Sequence, residues 1–391
     1  MTSFPQINKM NVLGACLVAA AGGLVFNTFP QVLTLIAMRF DMGETEIGTL
    51  ISAFMGAFAL SALFAPYWMP RYSWKIASVV GYVLVVVGVV MLGQVTKGQV
   101  IFAMSLTGLG SGVLLTVAVG ILAAAKDPDS AYGYMLSVQM IVGAVLIYAV
   151  ANLIVSQFGY SGFVFGLVGV FMLTSIGIFW LPANFLGQAK NELSSIKRVT
   201  GKNMSALMAM AAMFLYFGAY TGVWSFVANV GIEHGFHEDT INVVLTFALL
   251  SGIVGALLCA WMGQRFGHGL PLAGGMLATI ISVVLLAHSS SIAGYAIAVC
   301  SINALLQYVV AYQMGLITEV DNDGRFTVLI AFVLAISAAI CGDLMGRIIE
   351  TYGLDIALYG SIGAIAAAMV LSCVILYKGQ AQTYECLAEV E

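Results

Sequence analysis

Charge is what this chain has little of: 14 basic and 18 acidic side chains are only 8% of 391 residues. Soluble domains carry about a quarter, so a water-soluble globular fold and a disordered tail protein are excluded. The net charge of −4 gives no polybasic footprint for phosphate backbones, which excludes a nucleic-acid partner. Proline is scarce as well, seven residues against 43 glycines, a balance that suits packed membrane helices better than loops. The six cysteines have neither disulfide-framework nor zinc-ligand spacing. Cys16, Cys259, Cys300, Cys341 and Cys373 lie in apolar runs and Cys386 in the C-terminal tail, and they read as small packing residues. Phosphate-loop, His-Glu-x-x-His and Gly-x-Ser-x-Gly patterns are missing, so neither ATP-driven pumping by this chain nor an enzyme is expected. His234, His237, His268 and His288 sit at run ends or in loops, three of them expected in water. Neither a metal nor a cofactor is expected.

What fills the chain is apolar residue, 61% of it, in long uncharged intervals. Lys9–Arg39, Glu46–Arg71, Lys75–Lys97 and Lys97–Lys126 each hold one run, and Asp129–Lys190 holds two with a turn near Gln157–Gly162. Lys202–Glu233 and Asp239–Arg265 hold one each. Arg265–Glu319 holds two, broken at His288–Ser291, and Phe326–Ile349 and Ile356–Tyr377 complete the set. A spanning helix needs about 20 apolar residues, which gives twelve spans. The runs are continuously apolar rather than alternating, so they are helices and not barrel strands. The first has no small-residue cleavage site behind a short apolar core and reads as a retained helix. Basic residues then set the orientation. With the N-terminus inside, the inner segments carry Lys9, Arg71, Lys75, Lys126, Lys190, Lys197, Arg198, Lys202, Arg265, Arg325 and Lys378, and the outer loops only Arg39 and Lys97. Both termini are therefore expected in the cytoplasm.

The longest polar segment, residues 183–204, divides the chain into two six-helix halves. The expected parts are a bundle over 1–182, the central loop 183–204, a second bundle over 205–378 and a tail over 379–391. An offset of 194 superposes the halves without a gap. Glu44 falls on Glu238, Arg71 on Arg265, Asp127 on Asp321 and Asp129 on Asp323, with Gly81 on Gly275, Gly159 on Gly353 and Gly166 on Gly360. Charged loop residues are too scarce here for four such pairs to be accidental. Two six-helix halves in one orientation are parallel repeats about an axis along the membrane normal. The fold class is an all-α membrane protein, twelve transmembrane helices in two pseudo-symmetric bundles.

Twelve spans, six plus six, and a basic central loop resemble the major facilitator superfamily over essentially the whole chain. That family's signature between its second and third helices is Gly-x-x-x-Asp-Arg-x-Gly-Arg-Lys/Arg. Here the slot reads Pro66-Tyr-Trp-Met-Pro70-Arg71-Tyr-Ser73-Trp-Lys75, which keeps Arg71 and Lys75 but loses the acid and both glycines. The repeat copy, Ala260-Trp-Met-Gly-Gln264-Arg265-Phe-Gly267, keeps the Arg-Phe-Gly core. The resemblance implies a cytoplasmic latch at Arg71 and Arg265, weakened by Pro70 and Gln264 in place of the acid; positive-inside anchoring alone is the plainer account of both.

Ionisable residues inside a membrane are costly and usually functional. Asp343 and Arg347, four apart on one face of span eleven, are the clear case. They form either an internal ion pair, or a proton-coupling carboxylate with an arginine anchor for a substrate carboxylate. A second group is uncharged. Span one carries Asn27 and Gln31 around Pro30, which kinks the helix; span seven carries Tyr216, Tyr220 and Trp224 as a four-residue stripe; span ten carries Asn303, Gln307, Tyr308 and Tyr312. Interhelical packing explains such residues equally well. In the resembled family helices one, four, seven and ten line the cavity, which makes these the expected solute contacts. An amide, hydroxyl and aromatic lining suits a small uncharged or weakly anionic organic solute.

The slot Met104–Gly110 lacks the basic residue that proton-linked members place in span four. Span five, Tyr134–Gln157, has no proline, unlike drug exporters, and spans two and eight lack the arginine of nitrate-type members. Multidrug export and nitrate transport are disfavoured. The expectation is a monomeric secondary transporter in a bacterial inner membrane, working by alternating access as a proton-coupled importer of an organic acid. The alternatives are an exporter or facilitator of an amphipathic metabolite and a non-transporting receptor or assembly factor. Its partners are a small solute, protons and the lipid bilayer.

Overall fold

The computed structural model describes residues 7–42, 44–94, 96–146, 156–182, 202–321 and 324–388, and every element among them is helical. The first half contains α1 (Lys9–Asn27), α2 (Phe29–Phe40), α3 (Glu44–Leu63), the single turn α4 (Ala65–Trp68), α5 (Trp74–Leu92), α6 (Val100–Leu122), α7 (Pro128–Val145) and α8 (Ser156–Ser175). The second contains α9 (Lys202–Glu233), α10 (Glu238–Met262), α11 (Gly269–His288), α12 (Ile292–Val320), α13 (Ile330–Tyr352) and α14 (Leu354–Ala388). Eleven stretches are long and apolar enough to cross a membrane. The remaining expected span, Tyr134–Gln157, is described only over α7 and from Ser156 onward.

Helix ends follow local chemistry. Asn8 and Asn11 exchange side-chain and backbone hydrogen bonds at 2.8 and 3.0 Å, a reciprocal cap that starts α1. Asp127 accepts from the Ser130 N–H at 3.1 Å to start α7, and Ser291 from the Gly294 N–H at 3.1 Å to start α12. Asp129, placed at a run boundary by its charge, lies in the first turn of α7 and is fully buried. The repeat glycines Gly159 and Gly353 both have positive φ, 59° and 91°, a region that a side chain disfavours. Each turns the chain at the same point of its half.

The chain forms two compact units, residues 1–197 with 323–336 and residues 198–322 with 337–391. In the first, α6 packs on α1, α3 and α5, and the 3₁₀ turn Thr327–Leu329 packs on α3, α4 and α6. In the second, α12 takes the place of α6 and packs on α9, α10 and α11. Glycine allows these approaches. A Cβ at Gly81 would lie 2.8 Å from Leu114, and one at Gly275 would lie 3.0 Å from Tyr308, which is Leu114 moved by the repeat.

Three boundaries differ from expectation. The first span is two helices broken at Thr28, since Pro30 has no N–H for the Phe26 carbonyl and its ring crowds the preceding turn. The far end of α2 meets Lys97, whose Nζ donates to the Asp41 carbonyl at 2.8 Å and pairs with Glu46 at 2.8 Å. At the other boundaries, α9 begins at Lys202 inside the expected central loop, and α14 continues to Ala388 through most of the expected tail. Residues 183–201 of that loop lie outside the described residues.

Outward faces are apolar. Ile76, Val79, Val80, Val83, Val87 and Val90 form an exposed stripe along α5, and Val243, Phe247, Leu250, Val254 and Trp261 form one along α10. Stripes of this length are unsuited to water and match acyl chains. The protein is a multi-pass membrane protein.

Candidate functional site

The second unit brings four of the nine expected uncharged residues, Tyr216, Tyr220, Trp224 and Asn303, to one place by hydrogen bonding and ring stacking. Tyr220, on α9, donates from its hydroxyl to Asn303 Oδ1 at 2.8 Å, and Asn303 Nδ2 donates to the Ala248 carbonyl at 2.6 Å. Trp224, one turn further along α9, stacks on the Tyr220 ring at 5.9 Å and 16°. Tyr216, one turn earlier, is buried with its hydroxyl 3.0 Å from Thr279 Oγ1 and 3.3 Å from the Leu305 carbonyl. Three helices, α9, α10 and α12, thus converge on Asn303, with α11 joined through Thr279. Tyr220 and Trp224 remain half-buried while Tyr216 and Asn303 are enclosed. The group therefore offers a partly accessible aromatic face over a fixed amide. It can stack on a flat apolar surface and bond polar edges without formal charge.

Tyr308 and Tyr312 go elsewhere. Their rings meet edge to face at 5.0 Å, and the Tyr308 hydroxyl reaches Met262 Sδ at 3.6 Å. The Tyr312 hydroxyl donates to the Gly263 carbonyl at 2.9 Å. Both serve the corner between α10 and α11. In the same corner His268, 8% exposed, has its Nδ1 2.7 Å from Glu319 Oε2 and stands edge-on to Tyr312. Gln307 is buried on α12.

In the first unit Asn27 is the last residue of α1, and its Nδ2 donates to Gln139 Oε1 on α7 at 3.4 Å. Gln139 was missed by sequence reasoning. It is an amide within an apolar run, and only its distance across the bundle gives it significance. Gln31 has its backbone in α2, but its side chain is outside the described residues, as is that of Asp343 in α13. Arg347, also on α13, is exposed. Arg71 is exposed beside α4. Arg265 is exposed with its guanidinium 5.6 Å over the Trp261 ring, a cation–π contact at the position where the family signature has a charged latch.

Two helical bundles with apolar exteriors, repeated in sequence and each containing uncharged polar groups, define a membrane protein of the transporter type. The Major Facilitator Superfamily model matches residues 12–340, and the chain belongs to that family. Among solved structures it is similar to the Major Facilitator Superfamily transporter FucP in the outward conformation, with TM-score 0.75 and 17% identity over 93% of this chain and 98% of that one. It is also similar to a variant of the E. coli fucose:proton symporter FucP, with TM-score 0.72 and 15% identity over the same shares. At these identities the likeness is one of fold. No curated protein matches the sequence.

Proposed function

We propose that the chain is a secondary transporter that takes up a small organic solute with a proton by alternating access. The observation that carries this reading is the Tyr220–Asn303–Trp224 group within a protein of this family. A fixed amide beside a half-open aromatic stack binds a small solute with one flat face and polar edges. Parallel six-helix repeats, here 1–182 and 205–378 joined by 183–204, favour rocking of one half against the other. The excess of basic residues in alternate loops supports an inner-membrane orientation with both termini and the 379–391 tail cytoplasmic.

Within this reading Asn27, Gln31, Tyr216, Tyr220, Trp224, Asn303, Gln307 and Arg347 are the proposed solute contacts. Tyr308 and Tyr312, expected among them, bond at the α10–α11 corner and are proposed as positioning residues. Asp343 is the proposed proton-coupling carboxylate, and Arg71 and Arg265 hold the cytoplasmic loops. The proton link is also in keeping with the named activity of the similar fucose:proton symporter. The test is uptake of fucose and of benzoate into proteoliposomes with an imposed pH gradient. Gradient-driven accumulation by the native chain and its loss in Asp343→Asn are expected. Accumulation of neither solute with or without the gradient would count against transport of these classes, and unchanged accumulation in Asp343→Asn would remove that residue from coupling.

A further inference from the structure

The turns that join the second span to the third in each half carry one exposed group twice. Tyr67, Arg71, Tyr72 and Ile76 in the first half stand 194 residues before Trp261, Arg265, Phe266 and Leu270 in the second. All eight are exposed, the six apolar and aromatic ones by 56–75%. The apolar spans end at Leu63 and resume at Trp74 in one half, and end at Phe266 and resume at Gly269 in the other. Each group therefore lies at the edge of the membrane. Neither 64–77 nor 258–271 contains an acidic residue. Among the described residues neither guanidinium has an ion pair or a hydrogen bond, and that of Arg265 rests over the Trp261 ring. The match continues down the next helix. Ile76, Val83, Val87 and Val90 of α5 and Leu270, Leu277, Ile281 and Val284 of α11 are exposed at the same steps. Each turn thus sets an unpaired guanidinium and two rings at the head of an apolar track. A bias of basic residues toward one side of the membrane needs charge alone; it requires neither the flanking rings nor the track.

We propose that each turn binds one anionic phospholipid, its diester phosphate on Arg71 or Arg265 and its acyl chains on α5 or α11. A planar guanidinium meets two phosphate oxygens at once. The rings suit headgroup depth, and the cation–π contact with Trp261 keeps the Arg265 guanidinium in place. A phosphocholine headgroup brings its own ammonium, which competes for the phosphate; a phosphatidylglycerol headgroup does not. The lipid supplies the negative charge that the family signature places one residue earlier, where this chain has Pro70 and Gln264. Neither the solute nor its direction of travel enters this site, so its test needs no flux and leaves the transport reading untouched.

Trp261 is the exposed one of the five tryptophans and serves as the reporter. The native chain is reconstituted in phosphatidylcholine bilayers with graded fractions of acyl-brominated phosphatidylglycerol or acyl-brominated phosphatidylcholine. Quenching in excess of that in Trp261→Phe reports which lipid lies against the ring. Phosphatidylglycerol is expected to be preferred about fivefold, the effect of one basic residue at an anionic surface. In Arg265→Gln the two lipids should quench alike. Arg265→Lys keeps the charge but loses the planar fork, so most of the preference should go; it also keeps the test open if Arg265→Gln does not fold. Equal quenching by the two lipids in the native chain overturns the proposal. A full preference in Arg265→Lys also overturns it, since diffuse attraction would then suffice. Inorganic phosphate in large excess over lipid should leave the preference unchanged; its loss would assign the site to a free anion and overturn the lipid. Tyr67→Trp in the Trp261→Phe background moves the reporter to the first half. The same preference, lost in Arg71→Gln, is expected there, and its absence removes the first-half site.

Discussion

The two halves close the same turn of the repeat with different chemistry. At the start of α5 the first half buries Trp74 to 2% exposure. At the position 194 residues later the second half buries His268 to 8%, pairs it with Glu319 and backs it with Tyr312. The same contrast runs along the central helices. Leu114 faces Gly81 in the first half, where Tyr308 faces Gly275 in the second, and Ala118 of α6 corresponds to Tyr312 of α12. Backbone approach is common to both halves and depends on glycine. At these positions of the central helices the side chains are Leu114 and Ala118 in one half and the hydrogen-bonded Tyr308 and Tyr312 in the other. A duplicated frame can therefore hold its shape while its two copies take on separate polar tasks.

The frame itself is the most sensitive target. A Cβ at Gly255 would overlap the Ala304 carbonyl, so Gly255→Ala should destabilise the second unit by about 3 kcal/mol, as severe overpacking does. The measurement is thermal unfolding in detergent, and the reference is Ser61→Ala, its repeat counterpart, which adds no atom. Gly275→Ala meets Val309 Cγ2 at 2.7 Å and the Tyr308 ring at 3.0 Å, and Gly81→Ala the flexible Leu114 side chain at 2.8 Å. Losses of about 2 and 1 kcal/mol are expected; equal losses would show that the facing residue is irrelevant to the approach. Tyr220→Phe removes the bond to Asn303 Oδ1 and should cost about 1 kcal/mol of stability together with a weaker apparent affinity for solute. Least affected should be Glu319→Gln. Glu319 has a side chain 60% exposed, and surface pairs of this kind contribute roughly 0–1 kcal/mol. A larger loss would mean that the second half depends on charge at this corner.

Much of this contrast could be read in advance, and the reasons differ by feature. Spans and repeat were legible because 20-residue apolar runs and scarce charges are local signals. The kink near Pro30 was legible from proline's missing donor; its exact seat at Thr28 depends on the Thr28 N–H and hydroxyl both finding the Leu24 carbonyl, at 3.1 and 2.7 Å. The stripe Tyr216, Tyr220 and Trp224 was visible as a period of four, but spacing could not show that Tyr308 and Tyr312 turn to a different corner. Gln139 and the His268–Glu319 pair were not legible. Their partners lie 112 and 51 positions away, and nothing local distinguishes a buried histidine from a loop histidine.

The interruption at Thr28 also has a mechanical consequence. A continuous first helix would tilt as one rod, whereas α1 and α2 are two rods sharing a one-residue joint. The second rod has 12 residues, a lever of about 18 Å at about 1.5 Å per residue, so a rotation of about 10° swings its tip by about 3 Å. The tip is tethered by Lys97, a half-exposed ammonium held to Asp41 and Glu46, and such a tether yields for about 1 kcal/mol or less. The ring of Tyr160, which meets Phe40 edge-on and lies under the Arg39 guanidinium, holds the same tip, so α2 is fixed at its far end by contacts separate from those that seat α1 against α6.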